Sequence, residues 1–103
     1  MVTGEIENAF LCKVADEPCI TFVYGTVVSD RTARFKSGDW IATSPLRKYE
    51  VIDGGLRIYT RNSSYFVQAP IRERKIVWAA VDNIRIGTNP DIAMKLVNGS
   101  FKG

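Results

Sequence analysis

Leu46-Arg47-Lys48-Tyr49-Glu50-Val51-Ile52-Asp53-Gly54-Gly55-Leu56-Arg57-Ile58-Tyr59-Thr60-Arg61-Asn62-Ser63-Ser64-Tyr65-Phe66-Val67-Gln68-Ala69 is the stretch whose reading decides the fold. Asp53-Gly54-Gly55 is a hairpin signal, because glycine adopts the positive φ that tight turns require. After it, Leu56 and Ile58 point one way while Arg57, Tyr59 and Arg61 point the other, the period of a half-buried strand. Asn62-Ser63 marks a second tight turn, and Ser64 to Ala69 returns until Pro70. Leu46 to Ile52 alternates less regularly and supplies the first arm. Two consecutive hairpins, a meander, form the middle of a sheet.

Upstream, Trp40 to Ser44 reads as a short strand stopped by Pro45, which has no N–H for a sheet ladder. Trp40 is expected to anchor that strand in the core, with Asp39 holding the turn Lys36-Ser37-Gly38-Asp39. Ser29-Asp30-Arg31-Thr32 is another turn, and Arg34-Phe35 between the two is an edge piece or loop. Cys19 to Val28 is rich in β-branched and aromatic residues, hence a strand, and Gly25 within it predicts a bulge or bend. Ile6 to Val14 is a strand with a weak spot at Asn8-Ala9.

Downstream, Ile76 to Val81 is predicted as a buried strand, although Val77, Val81 and Ile84 also fit a helical stripe. Asn89-Pro90-Asp91 sets a capping residue, a proline at the first helical position and an acid in the first turn. A two-turn helix follows, packing Ile92 and Leu96 onto the sheet and stopping at Asn98-Gly99, with Ser100 to Gly103 frayed. The expected fold is mainly β: a small curved antiparallel sheet or partly open barrel of about six strands, with a short C-terminal α-helix.

A chain of 103 residues has room for one domain, residues 1–103, and its 46% apolar content is that of a globular protein. No apolar run approaches the roughly 20 residues that cross a bilayer, and the N-terminus has no signal-peptide pattern, so a cytoplasmic location away from membranes is expected. A two-residue loop through Asp16 and Glu17 sets Val14 opposite Cys19 and Cys12 opposite Thr21, leaving the sulfurs out of register. Buried free thiols are therefore expected at both, a disulfide requiring a bulge or longer loop that shifts the pairing. With two cysteines and no histidine the chain lacks the ligands of an ordinary zinc site, and no metal or cofactor is expected. Charge is uneven: ten basic and five acidic residues lie between Val28 and Lys75, a basic middle compatible with nucleic-acid or acidic-protein partners.

Three groups are candidate sites. Arg57, Tyr59 and Arg61, with Arg47, Tyr49 and Tyr65 on neighbouring strands, would combine phosphate neutralisation with base stacking if they share a face. Trp40 and Thr43, with Tyr65, would line a small-molecule pocket at a barrel mouth. The polar turn Thr60 to Ser64 is of the kind that holds an anion through backbone N–H groups. Catalysis is not expected, because no nucleophile elbow, phosphate loop or histidine is present.

Gly25-Thr26-Val27-Val28, Arg34-Phe35, Gly38-Asp39-Trp40, Thr43-Ser44 and Thr60-Arg61-Asn62-Ser63-Ser64-Tyr65 together resemble short uncharacterised bacterial proteins carried by mobile elements such as prophages and gene cassettes. The resemblance covers the middle of the chain. It implies a bacterial, cytoplasmic accessory protein and transfers no functional residue. The expected role is a non-enzymatic binding module, first for protein partners including a second copy (a homodimer), then for single-stranded nucleic acid or a small molecule.

Overall fold

The computed structural model describes residues 2–32 and 35–98; the Arg34 reading, the Gly99 stop and the frayed end lie outside them. Among the described residues seven strands and two helices follow in the order β1 (Gly4–Val14), β2 (Ile20–Asp30), β3 (Trp40–Ala42), β4 (Lys48–Ile52), β5 (Gly55–Tyr59), β6 (Ser64–Gln68), β7 (Ile71–Ile76), α1 (Trp78–Arg85) and α2 (Pro90–Val97). The sheet runs β3-β2-β1-β6-β5-β4, with β7 also on β1. The expectation of a mainly β, curved sheet ending in a helix is met, and the sheet does not close into a barrel. It is not purely antiparallel, however: β1 pairs in parallel with β6 over Gly4–Ile6 and with β7 over Ala9–Val14.

The long strand β1 is the axis of the molecule, and one bulge decides its faces. Its pairing with β2 slips between Glu7 and Phe10, so that Asn8 and Ala9 stand against Gly25 alone, and Asn8 takes φ 52°. The extra residue inverts the alternation. Ile6 therefore shares a face with Ala9 and Leu11, and joins Val23, Val27, Ile58 and Val67 in the core inside the curl. Phe10, Cys12 and Val14 face the other way, against Phe22, Ile76 and the helices. Thus Ala9-Phe10-Leu11-Cys12 is buried on both faces, which explains an apolar run where an exposed-face strand would alternate.

The predicted strand Ile76–Val81 is corrected. Extended structure ends at Ile76, and Trp78 to Arg85 is helical. Ala80, Val81 and Ile84 form its buried stripe, while the Trp78 indole donates to the Asp16 carbonyl at 2.9 Å and ties the helix to the β1–β2 loop. The helix α2 begins as expected, with Asn89 Oδ1 accepting from the Asp91 N–H at 2.8 Å and Pro90 at its start. Its buried side is not the expected one. Pro90 and Ala93 are buried with Met94 and Val97 beside them, and Ile92 and Leu96 are exposed.

The Cys12–Cys19 hairpin also differs. Val14 pairs with Ile20 and Cys12 with Phe22, so the loop has five residues, Ala15 to Cys19. Both cysteines are free, Cys12 buried and Cys19 exposed against the expectation. Burial pushes the Cys12 thiol up to about 12, with the Asp91 charge adding to it, so Cys12 is an inert core group. At Cys19 a hydrogen bond to the Glu17 carboxylate holds the thiol in its protonated form.

Candidate interaction surface on the β4–β5 hairpin

Ile52 and Gly55 close the first hairpin across Asp53-Gly54, with Gly54 at φ 82°. The second closes with Thr60 N–H donating to the Ser63 carbonyl at 2.8 Å around Arg61 and Asn62, one residue earlier than the predicted turn. These two closures fix where the backbone groups point. Thr60, Ile58 and Leu56 bond towards β6, so Tyr59, Arg57 and Gly55 bond towards their β4 partners Lys48, Glu50 and Ile52. Between those, Tyr49 and Val51 direct their N–H and C=O outward, where β4 has no neighbouring strand among the described residues.

Side chains follow the same parity and divide the six Arg/Tyr candidates. Arg57 and Tyr59 lie on the outer face with Lys48 and Glu50. There Tyr59 Oη donates to Glu50 Oε1 at 3.2 Å, and Lys48 Nζ sits 4.7 Å from the Tyr59 ring centroid. Tyr49 is opposite Ile58, on the inner face. Tyr65, also opposite Ile58, is 5% exposed and belongs to the core. Arg61 is in the turn, and Arg47 precedes β4 with its N–H donating to the Tyr59 carbonyl. The single basic-aromatic stripe expected from sequence is therefore not formed, because the pairing alternates those residues between faces and Glu50 sits among the rest. The register Ile52–Gly55, which an Asp53-Gly54 turn implies, was the signal that separates Tyr49 from Tyr59.

The expected pocket group divides too. Thr43 is buried, bonded to β2 twice: its N–H donates to the Val23 carbonyl at 2.9 Å and its Oγ1 accepts from Val23 N–H at 3.0 Å. Trp40 is 44% exposed and lies on the helix side, stacked on Tyr24 at 6.3 Å and against Gly87, so it anchors no core. Thr43 and Tyr65 do share a cavity, with the Thr60–Ser63 turn and without Trp40. Asp39 holds its turn as expected, its Oδ2 accepting from Lys36 N–H at 2.9 Å.

What sequence reasoning missed is the inner flank of β4. Val51 is 83% exposed, and with Tyr49 it borders an apolar groove of about 330 Å³ whose floor is Leu11, Leu56 and Ile71. At one end Lys13 Nζ pairs with Glu73 at 2.9 Å, and hydrogen bonding to Glu73 and then Tyr49 raises the Lys13 pKa. Among the described residues there is no metal-binding cluster, and no helix is long and apolar enough to cross a membrane. No protein-family model, curated protein or solved structure matches the chain.

Proposed function

We propose that the chain is a non-enzymatic association module whose partner is a second copy of itself, joined through β4. The observation that carries this reading is the exposed Val51 on a strand edge that no described residue pairs. Sheet edges that remain single are usually blunted by shortness or charge. Here β3 has only three residues, and β7 carries Arg72-Glu73-Arg74-Lys75 in succession. At five residues β4 is longer than β3, and its charged Lys48 and Glu50 lie on the outer face while Tyr49 and Val51 lie on the inner one.

Charge complementarity favours a second copy. Two β4 strands related by a two-fold axis pair antiparallel, and side chains stay on matching faces only if the axis passes through one residue. Centred on Tyr49, the register sets Lys48 opposite the partner's Glu50 twice, and opposite charges across strands are favourable. Centred on Glu50 it opposes two carboxylates, and centred on Val51 it leaves Glu50 opposite Ile52. Covering a valine contributes about 1.5–3 kcal/mol per copy, against an association cost of at least about 4 kcal/mol. Two cross-strand charge pairs of up to about 1 kcal/mol each and two main-chain bonds at Tyr49 of about 1 kcal/mol each bring the upper end to a net of about 6 kcal/mol, a modest dimer with Kd about 10–100 μM.

Sedimentation equilibrium tests this. Between about 5 and 500 μM the mean mass should climb from one chain towards two and stop there, as a closed isologous pair requires. A single-chain mass at every concentration, or growth past two, would overturn the proposal.

A further inference from the structure

We propose that the mouth of the curl is a binding site for a small ligand carrying a carboxylate or phosphate group. It stands apart from the β4 edge and rests on a separate observation, a cavity of about 160 Å³ between the end of β3 and the β5–β6 turn. One wall is apolar, built by Phe35, Ile41 and Ala42, and the opposite rim carries Ser44, Arg61, Asn62 and Ser63.

Among the described residues the lining has donors to spare and no carboxylate. Thr43, which also lines the cavity, is 3% exposed, and its Oγ1 accepts from Val23 N–H. That leaves its hydroxyl hydrogen without an acceptor among the described residues, and a buried unpaired donor favours an incoming oxygen. Arg61 likewise has no ion-pair partner among the described residues, and its guanidinium suits the two oxygens of a carboxylate or phosphate.

The rim is also held in place before any ligand arrives. Ser63 N–H donates to Thr60 Oγ1 at 3.1 Å, and Ser64 N–H donates to Thr3 Oγ1 at 3.1 Å, fixing the turn to the start of the chain. Thr43 is fixed to β2 from the other side. Pre-set donors lose little freedom on binding, which favours a weak but specific site. The apolar wall limits the rest of the ligand to a short, uncharged body.

The test is a nitrogen–proton NMR titration of the whole chain with sodium phosphate and, separately, sodium acetate, each against sodium chloride at matched ionic strength. Saturating shifts are expected at Thr43, Ser44, Arg61, Asn62 and Ser63, and the tighter of the two ions identifies the ligand group. Arg61→Gln should weaken that binding about tenfold, since it removes a charged bidentate donor from an exposed position. Thr43→Ser, which keeps the hydroxyl, should leave it within about twofold. Non-saturating shifts spread over Arg31, Arg72 and Lys75 would indicate an adventitious ion only and overturn the proposal, as would saturation unchanged in Arg61→Gln.

Discussion

Gly25→Ala should lower the unfolding free energy by about 3 kcal/mol, a large share of what so small a domain has. A methyl group at Gly25 would sit 2.5 Å from Ile6 Cγ2, 2.9 Å from the Glu7 carbonyl oxygen and 3.3 Å from Ala9 Cα. Two of these three neighbours are backbone atoms of the bulged segment, so no rotamer change relieves the overlap. Relief requires β1 and β2 to separate where the bulge exchanges the two faces of β1, and both cores depend on that exchange. Gly38→Ala is the control. Gly38 has φ 95° with open space around its Cα, so alanine meets only backbone strain, about 1 kcal/mol. Urea denaturation of both variants decides the matter: equal losses would mean that β1 carries no bulge against Gly25.

Lys48→Glu should weaken the proposed dimer about thirtyfold. In the register centred on Tyr49 the change converts two attractive cross-strand pairs into two repulsive ones, about 2 kcal/mol in all, and about 1.4 kcal/mol is tenfold. The exchange Lys48→Glu with Glu50→Lys should restore affinity to within about threefold, because both pairs reappear with their signs inverted. Glu50→Gln separates this register from its neighbour. It should weaken the dimer modestly here, whereas with Glu50 at the axis it would strengthen it by removing a carboxylate clash. Sedimentation equilibrium of the three variants reads all of these outcomes.

Local signals in the chain were informative, and long-range ones were not. Asp53-Gly54-Gly55 and Asn89-Pro90-Asp91 each specify a turn or cap through neighbouring residues, and both form where expected. Asn8-Ala9 and Gly25 were each visible as irregularities; that they oppose one another follows only from pairing across the β1–β2 hairpin. The parallel contacts of β1 with β6 and β7 join segments some sixty residues apart, and no local pattern encodes them. At Ile76–Ile84 the apolar run suits either a buried strand or a helix facing a core, and Val77 provides no side-chain cap to mark the helix start. In α2 two apolar stripes compete, Ile92 with Leu96 and Pro90 with Ala93 and Val97; the second is the one turned to the core, with Pro90 and Ala93 buried and Val97 half-buried. Of the candidate sites, the Thr60–Ser64 turn and Thr43 were legible by their polar side chains. The exposure of Val51 was not, since it depends on β4 lying last in the sheet.

Amide hydrogen exchange followed residue by residue at two protein concentrations tests the β4 proposal most directly. At about 500 μM the amides of Tyr49 and Val51 should exchange about three- to sevenfold more slowly than at about 5 μM, as a Kd of about 10–100 μM requires, while Lys48, Glu50 and Ile52, already bonded to β5, should hardly change. Exchange at Tyr49 and Val51 that is equally fast at both concentrations would contradict the account.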